Sequence, residues 1–205
     1  MTYGELKNYV LQLLNQYSTA GTLTPPTYNN QADYLARLPM LANDALVYIA
    51  TTARRLRAVA ELSVSDTIGN WNVCDLPDDF WQLRSGGLFA ADDEGNLVRG
   101  REYRLLGERR LAVPASPARA WRAEYFRYPA ELPAAPADTD ALDCAREAAP
   151  AVAYYAAAQL VSPDDPGAQA TLYNEFETRL ARLGELPAAE PGGTEDVYPD
   201  GRDCG

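Results

Sequence analysis

The chain has 205 residues, of which 47% are hydrophobic and 23% charged, and its formal net charge is −11 at pH 7. A chain of this length and hydrophobicity can bury a core of its own, so we do not expect it to be disordered throughout. It contains no histidine, which excludes imidazole-based catalytic triads, histidine-bound metals and the usual near-neutral general base.

Three cysteines, Cys74, Cys144 and Cys204, lie too far apart in the sequence to form a paired metal or redox motif. No apolar run has the length of a membrane span, and the N-terminus lacks the pattern of a signal peptide. Glycine-rich loops that hold phosphates are also missing from the sequence. We therefore expect a soluble intracellular protein with free thiols and no cofactor, metal or nucleotide site.

Charge is distributed unevenly along the chain. Residues 138–205 carry fourteen acids and four bases, whereas residues 1–60 carry three acids and five bases. The C-terminal third should repel a phosphate backbone. The central segment instead contains a cluster of arginines: Arg99, Arg101, Arg104, Arg109, Arg110, Arg119, Arg122 and Arg127. These predict a solvated strand face or, alternatively, a contact surface for an acidic neighbour.

The N-terminal segment predicts an amphipathic helix. Thr2 and Glu5 have the spacing of a capping box, in which each side chain accepts a hydrogen bond from the other residue's backbone N–H. Apolar residues then recur every three or four positions, which is typical of one buried helix face: Leu6, Tyr9, Val10, Leu13, Leu14 and Tyr17. Residues 21–30 contain two adjacent prolines and predict a loop.

A second, longer helix is predicted from Asn30, its expected N-cap, to about residue 58. Asp33 suits its first turn and the basic residues 54–57 suit its last turn, because of the helix dipole. Pro39 is expected to kink or divide this helix.

From residue 61 to residue 137 the pattern is that of strands and turns. Short apolar or aromatic runs predict antiparallel strands at residues 62–64, 68–73, 88–90, 97–99, 103–106, 110–113 and 120–128. Proline and paired aspartates in residues 76–81 predict a turn or a short helical start. Residues 91–96 and 107–108 predict hairpin connections.

Helical periodicity resumes after this segment. Asp138 or Thr139 can cap a third helix that extends to Val161, and Asp165 followed by Pro166 predicts the start of a fourth. Gly184 can terminate the fourth helix. Residues 185–205 contain six acids and one base among prolines and glycines, and we expect a flexible tail.

These elements predict an α+β fold that is mainly α. A four-helix core would be formed by residues 1–60 and 138–184, and a small antiparallel β-sheet would be inserted between helices 2 and 3 by residues 61–137. The acidic tail, residues 185–205, would follow the core.

Several segments of residues 3–183 carry a family resemblance. Asp33–Pro39 leads into Asn43–Ala50, the turn Leu76–Phe80 precedes the strands, and an alanine-rich helix contains Tyr154–Ala157. In this order the segments resemble the head-tail adaptor, or head-completion, proteins of tailed bacteriophages. Such families share an arrangement of elements and no catalytic signature.

The resemblance implies a structural virion protein and no enzyme. Copies, usually twelve, would form a ring beneath the portal protein ring and meet a tail or stopper protein on the other side. Packaged DNA would pass through the lumen without specific binding, since a negative lumen repels DNA and lets it slide. The protein would be made in the host cytoplasm and reside in the virion neck.

A head-to-tail ring requires two different patches on each copy, and buried aromatic residues dominate interface energies. Candidate interface residues are therefore Trp71, Trp81, Phe89, Tyr103, Trp121, Arg99, Arg101, Arg104 and Tyr198. The aromatic residues could instead fill the core of the small sheet.

Two other functions fit the sequence. One is a non-enzymatic regulatory module that binds a partner. The other is a hydrolase that uses a pair of carboxylates, as in glycoside hydrolysis, for which Asp78 with Asp79 and residues 92–94 are the dense acidic groups outside the tail. Adjacent acids in turns are, however, commonly solvated turn formers.

Overall fold

The computed structural model describes residues 1–14, 31–91, 96–115, 120–161 and 165–185. The helices in these residues are α1 (Tyr3–Leu13), α2 (Gln31–Thr52), α3 (Ala149–Val161) and α4 (Pro166–Glu185). The strands are β1 (Leu56–Leu62), β2 (Val64–Ile68), β3 (Trp71–Asp75), β4 (Phe80–Ala91), β5 (Leu97–Arg99), β6 (Arg104–Leu105), β7 (Arg110–Pro114) and β8 (Trp121–Arg127). The predicted N-cap Asn30 lies outside the described residues, and so do residues 186–205 of the predicted acidic tail. Glu185 belongs to α4, which continues one residue beyond the predicted stop at Gly184.

Two helix starts follow the local sequence. The capping box is confirmed, because Glu5 N donates to Thr2 Oγ1 at 3.2 Å and Thr2 N donates to Glu5 Oε2 at 2.8 Å. The start of α4 is also confirmed, since Asp165 Oδ1 accepts hydrogen bonds from the next backbone N–H groups, Gly167 and Ala168, at 3.0 Å each. In both places a side-chain oxygen satisfies backbone donors that the helix itself leaves unpaired.

Helix α2 differs from the prediction at two points. Pro39 lies inside the continuous helix, so the expected division is wrong. Burial of the neighbouring Leu38 and Leu41 offsets the free-energy cost of the backbone hydrogen bond that the proline removes. The predicted end near residue 58 is also wrong, because α2 ends at Thr52 and Leu56 already begins β1.

Helix α3 begins at Ala149, and not at Asp138 or Thr139 as predicted. The physical reason is Pro150, which a helix tolerates in its first turn and rarely in its interior. The preceding segment packs on the start of α1 instead. Tyr3 N donates to Asp140 O at 2.7 Å, and Gly4 N donates to the backbone oxygen of residue 138 at 3.0 Å.

All eight strands lie between α2 and α3 in the chain, and they form two antiparallel sheets of four strands each. The first sheet has the order β1-β8-β4-β5 and the second has the order β2-β3-β7-β6. Strand β8 is central in the first sheet, where Ala60 pairs with Ala123 on one side and Leu88 pairs with Ala123 on the other.

These sheets correct the predicted fold class. Within the described residues about 42% are helical and about 30% are in strands, and the strands form two sheets. The expectation of a mainly α fold with one small inserted sheet is therefore wrong. The reason lies in nonlocal pairing: Leu56 pairs with Arg127, so a segment that looks like the end of a helix becomes an edge strand.

Two apolar clusters can be distinguished. The helical core contains buried side chains from all four helices, including Leu6, Leu46, Leu160 and Phe176. The β core lies between the two sheets and contains residues of both, including Leu88 and Trp121 from the first sheet and Leu111 and Val113 from the second. Because each sheet buries one face against the other, the strand region has a sandwich-like arrangement.

A side-chain amide fixes the connector that leads from β8 back to the helices. Asn43 Nδ2 donates to Leu132 O at 3.0 Å, and Leu132 N donates to Asn43 Oδ1 at 2.8 Å. Both polar groups of the Asn43 side chain are thus satisfied by the backbone of one connector residue, Leu132. This pairing ties α2 to the residues that follow the β sheets.

Candidate interaction surfaces

The edges of both sheets carry exposed apolar side chains, which we call the edge-strand surface. Strands β1 and β5 are the edges of the first sheet, and β2 and β6 are the edges of the second. Each edge strand has at least one large apolar side chain that is about half exposed: Val59 (50%), Val64 (47%), Ile68 (55%), Leu97 (51%), Val98 (49%) and Leu105 (50%). Apolar edges of this kind are templates for pairing with another chain.

Trp71 and Arg104, two of the predicted interface residues, lie together on the second sheet. The Arg104 guanidinium carbon is 4.6 Å from the centroid of the Trp71 ring, which is a cation–π distance. Tyr103 precedes this arginine and is 44% exposed. These residues adjoin the exposed edge strand β6 and extend the edge-strand surface.

Trp81 lies in a cluster of aromatic residues at the start of β4. Its ring centroid is 6.4 Å from that of Phe126 and 6.3 Å from that of Tyr128. The exposed Arg55 places its guanidinium carbon 5.4 Å from Trp81 and 5.0 Å from Phe126. Sequence reasoning missed Arg55, which it assigned to the end of a helix. The available signal was the spacing of Phe126 on β8 and Tyr128 directly after it, two residues apart.

Arg99, Arg101 and Trp121 line one cavity of about 280 Å³. Trp121 is only 5% exposed and belongs to the β core. The sequence had left two roles open for its aromatic residues, an interface or the core of the sheet, and Trp121 has the second. Its buried Nε1 has no hydrogen-bond partner in the described structure. Arg99 Nε donates to Gly86 O at 3.1 Å, which fixes that side chain at the sheet edge.

Phe89 and Tyr198 are the remaining predicted interface residues. Phe89 is half-buried on β4, and its register partners are Arg122 on β8 and Arg99 on β5. Tyr198 lies outside the described residues. The structure thus groups Trp71 with Arg104 and Trp121 with Arg99 and Arg101, while Trp81 is in a separate cluster.

The acidic pair that suggested a hydrolase has structural partners. Asp78 Oδ1 accepts a hydrogen bond from Arg109 Nη1 at 2.6 Å, and Asp79 Oδ1 accepts one from the Tyr125 hydroxyl at 2.8 Å. Burial, followed by the hydrogen bond to Asp79, raises the pKa of Tyr125 to about 12. Asp79 therefore ties the turn before β4 to β8, whereas Asp78 makes an exposed pair with the residue that precedes β7. The second acidic group, residues 92–94, lies outside the described residues.

Comparisons with known proteins leave the family of this chain open. No protein-family model matches the sequence, and no curated protein matches it significantly. No helix within the described ranges combines the length and the apolar character that crossing a membrane requires.

Proposed function

We propose that this protein is a structural adaptor of a tailed bacteriophage, which forms a ring beneath the portal and joins the head to the tail. The observation that carries the proposal is the edge-strand surface, on which all four sheet edges present half-exposed apolar side chains. A protein that stays alone in solution normally protects such edges with charge, proline or a covering loop. Open edges on both sheets are what a subunit needs in order to contact a neighbour on each side.

The charge of the chain supports the same proposal. The net charge is −11, and residues 138–205 supply fourteen acids against four bases. A ring whose lumen is acidic repels the DNA backbone, so that DNA passes without being held by phosphate contacts. Residues 3–183 resemble head-completion proteins. From this resemblance we expect the portal and a tail or stopper protein as partners, and the virion neck as the location.

The strand region is larger than that likeness implies, and this difference bears on how the ring is held together. The two four-stranded sheets share one apolar core. Contacts between copies can then be made by strand edges whose positions are fixed by the sandwich. We infer that each copy contributes its sheet edges to the contacts with neighbouring copies.

Deletion of the gene in the phage that encodes this chain tests the proposal. The expected particles are DNA-filled heads without attached tails, which lose their genome on storage, and the intact gene supplied in trans restores tailed particles. Particles that still join their tails and retain their DNA would contradict the adaptor function. They would favour the regulatory partner-binding module, which uses the same exposed surface with a different partner.

A further inference from the structure

A pocket lined by three tyrosines, here called the tyrosine pocket, lies between α2, α3 and α4. Tyr48 comes from α2, Tyr155 from α3 and Tyr173 from α4, and the cavity has a volume of about 490 Å³. Asp44 and Gln159 form part of its wall. Asp44 and Tyr48 are one helical turn apart on α2, which places both side chains on the same face.

The fully buried Phe176 packs against all three tyrosines. Ring centroids of Tyr48, Tyr155 and Tyr173 lie 5.8, 5.2 and 5.7 Å from that of Phe176. Aromatic contacts at these distances fix the rings against one another. The pocket is therefore ordered before any ligand enters, and binding requires little further loss of side-chain freedom.

Electrostatics of the tyrosine pocket favour a cation. Asp44 is exposed at its wall, and the Tyr173 hydroxyl donates a hydrogen bond to Glu177. Burial, and next the negative charge of Asp44, raises the pKa of Tyr155 above its ordinary value of 10.0. None of the described residues that line the pocket is basic. A site that combines aromatic faces with a carboxylate, and that contains no basic side chain, is suited to bind a cation.

We propose that the tyrosine pocket binds the guanidinium group of an arginine from a neighbouring copy of this chain. A planar guanidinium can stack on a tyrosine ring while it donates hydrogen bonds to a carboxylate such as that of Asp44. Suitable donors are present in the β region: Arg101 and Arg110 are exposed, and neither makes an ion pair within the part of the chain that the structure describes. The choice of a neighbouring copy as donor rests on the proposed ring, whereas the affinity for arginine does not.

This arrangement supplies the two different patches that a head-to-tail ring needs. The helices of one copy present the tyrosine pocket, and the sheets of the next copy present the arginine. The charge distribution agrees, because residues 138–185 contain nine acids and three bases, while Arg101 and Arg110 lie in the strand region. Charge complementarity of this kind selects the orientation in which copies meet.

Ligand titration of the purified full-length protein tests the chemistry of the pocket. Nuclear magnetic resonance of ring-labelled tyrosine would follow the addition of Nα-acetyl-arginine methylamide, with the citrulline derivative as an uncharged control of the same shape. The arginine derivative should move the signals of three tyrosines along a saturating curve and bind at least about fivefold more tightly than the citrulline derivative. Equal binding of the two, or no saturation, would overturn the proposal.

Two variants sharpen this titration. Asp44→Asn should weaken arginine binding by roughly threefold or more, because the charged acceptor is lost. Asp33→Asn changes an acid of the same helix outside the pocket and should leave binding unchanged. If Asp44→Asn binds arginine as well as the original chain, the pocket does not use its carboxylate and the proposal fails.

Crosslinking in assembled particles tests the source of the arginine. A photoreactive benzoylphenylalanine in place of Gln159, at the pocket wall, should crosslink to a peptide that contains Arg101 or Arg110 of another copy. Crosslinks to the portal, to the tail, or to no chain would overturn the neighbouring copy as donor. If the protein is missing from the particles, the proposed adaptor function fails, and the titration still decides whether the pocket binds arginine.

Discussion

Arg127 and Asp143 form a two-point ion pair that joins the last strand of the sheets to the segment before α3. Arg127 Nη2 donates to Asp143 Oδ1 at 2.7 Å, and Nη1 donates to Oδ2. The same carboxylate accepts a hydrogen bond from Ala130 N at 2.6 Å. Only about a quarter of each side chain is exposed, so this contact is screened less than a surface pair and fixes the sheets relative to the helices.

Removal of the Asp143 charge should destabilise the protein. We expect Asp143→Asn to lower the free energy of unfolding by about 1–3 kcal/mol at neutral pH, because a charge-assisted pair and its backbone contact are weakened. Urea denaturation followed by circular dichroism measures this. Glu175→Gln breaks a more exposed pair with Arg179, in which nitrogen and oxygen are 3.8 Å apart, and should change stability by less than about 0.5 kcal/mol.

The same pair predicts a pH dependence. The Arg127 hydrogen bonds, together with the backbone N–H of Ala130, hold the pKa of Asp143 below its ordinary value of 3.8. The unfolded chain therefore binds a proton more readily, so the stabilisation is present above that value and is lost as pH falls through the lower pKa of the folded state. Asp143→Asn should flatten the acid side of the stability curve, and an unchanged acid slope would contradict this assignment.

Tyr125 predicts a second pH effect, at alkaline pH. Burial, followed by the hydrogen bond to Asp79, raises its pKa from 10.0 to about 12. Because the folded state holds the phenol proton more tightly, its stabilisation is present below pH 10 and is lost as pH rises towards 12. Ultraviolet titration of tyrosine ionisation should show a phenol that ionises only near pH 12, and Tyr125→Phe should remove it at a cost of about 1 kcal/mol at neutral pH. Persistence of that late step in the variant would show that another tyrosine causes it.

Gly87 on β4 is predicted to tolerate no side chain. A Cβ at this position would lie 2.4 Å from the backbone oxygen of Glu124 on β8, a contact that requires the strands to separate. We expect Gly87→Ala to reduce stability by about 2 kcal/mol or more. Gly184→Ala is the matched control, since nothing lies within 4 Å of its Cβ in α4, and it should raise stability by up to about 1 kcal/mol. Thermal unfolding of the two variants compares them, and similar midpoints would contradict the close approach of β4 to β8.

Charge on the edge-strand surface should block assembly without unfolding the chain. Ile68 is 55% exposed on the edge strand β2, so Ile68→Lys should change the free energy of unfolding by less than about 0.5 kcal/mol. A lysine on an open edge opposes pairing with another chain. We expect its incorporation into particles, measured by mass spectrometry, to fall about tenfold or more, whereas Thr178→Lys on the exposed face of α4 should be incorporated normally. Normal incorporation of Ile68→Lys would exclude this edge as a contact between copies.

Local signals in the sequence predicted several features of the structure. The capping box of Thr2 and Glu5 and the start of α4 at Pro166 depend on neighbouring residues alone, and both are confirmed. The strand predicted at residues 120–128 is confirmed too, since β8 extends from Trp121 to Arg127. Gly107, expected in a turn, has a φ of 72° and connects β6 to β7.

Features that depend on distant residues were predicted wrongly or missed. Residues 54–57 look like a basic helix end, but α2 ends at Thr52 and pairing of Leu56 with Arg127 begins β1 within this segment. The division of the strands into two sheets likewise depends on partners that are far apart in sequence. The tyrosine pocket was missed because it combines three helices; the spacing of Asp44 and Tyr48 on α2 gives no indication of Tyr155 and Tyr173. The candidate interface residues and the adaptor function stay predictions.

Electron cryomicroscopy of the neck of intact particles is the most direct test of the adaptor function. We expect a ring of copies of this chain directly beneath the portal, with the strand edges of one copy in contact with the next and an acidic lumen around the DNA. A neck that is complete without this chain would contradict the adaptor function.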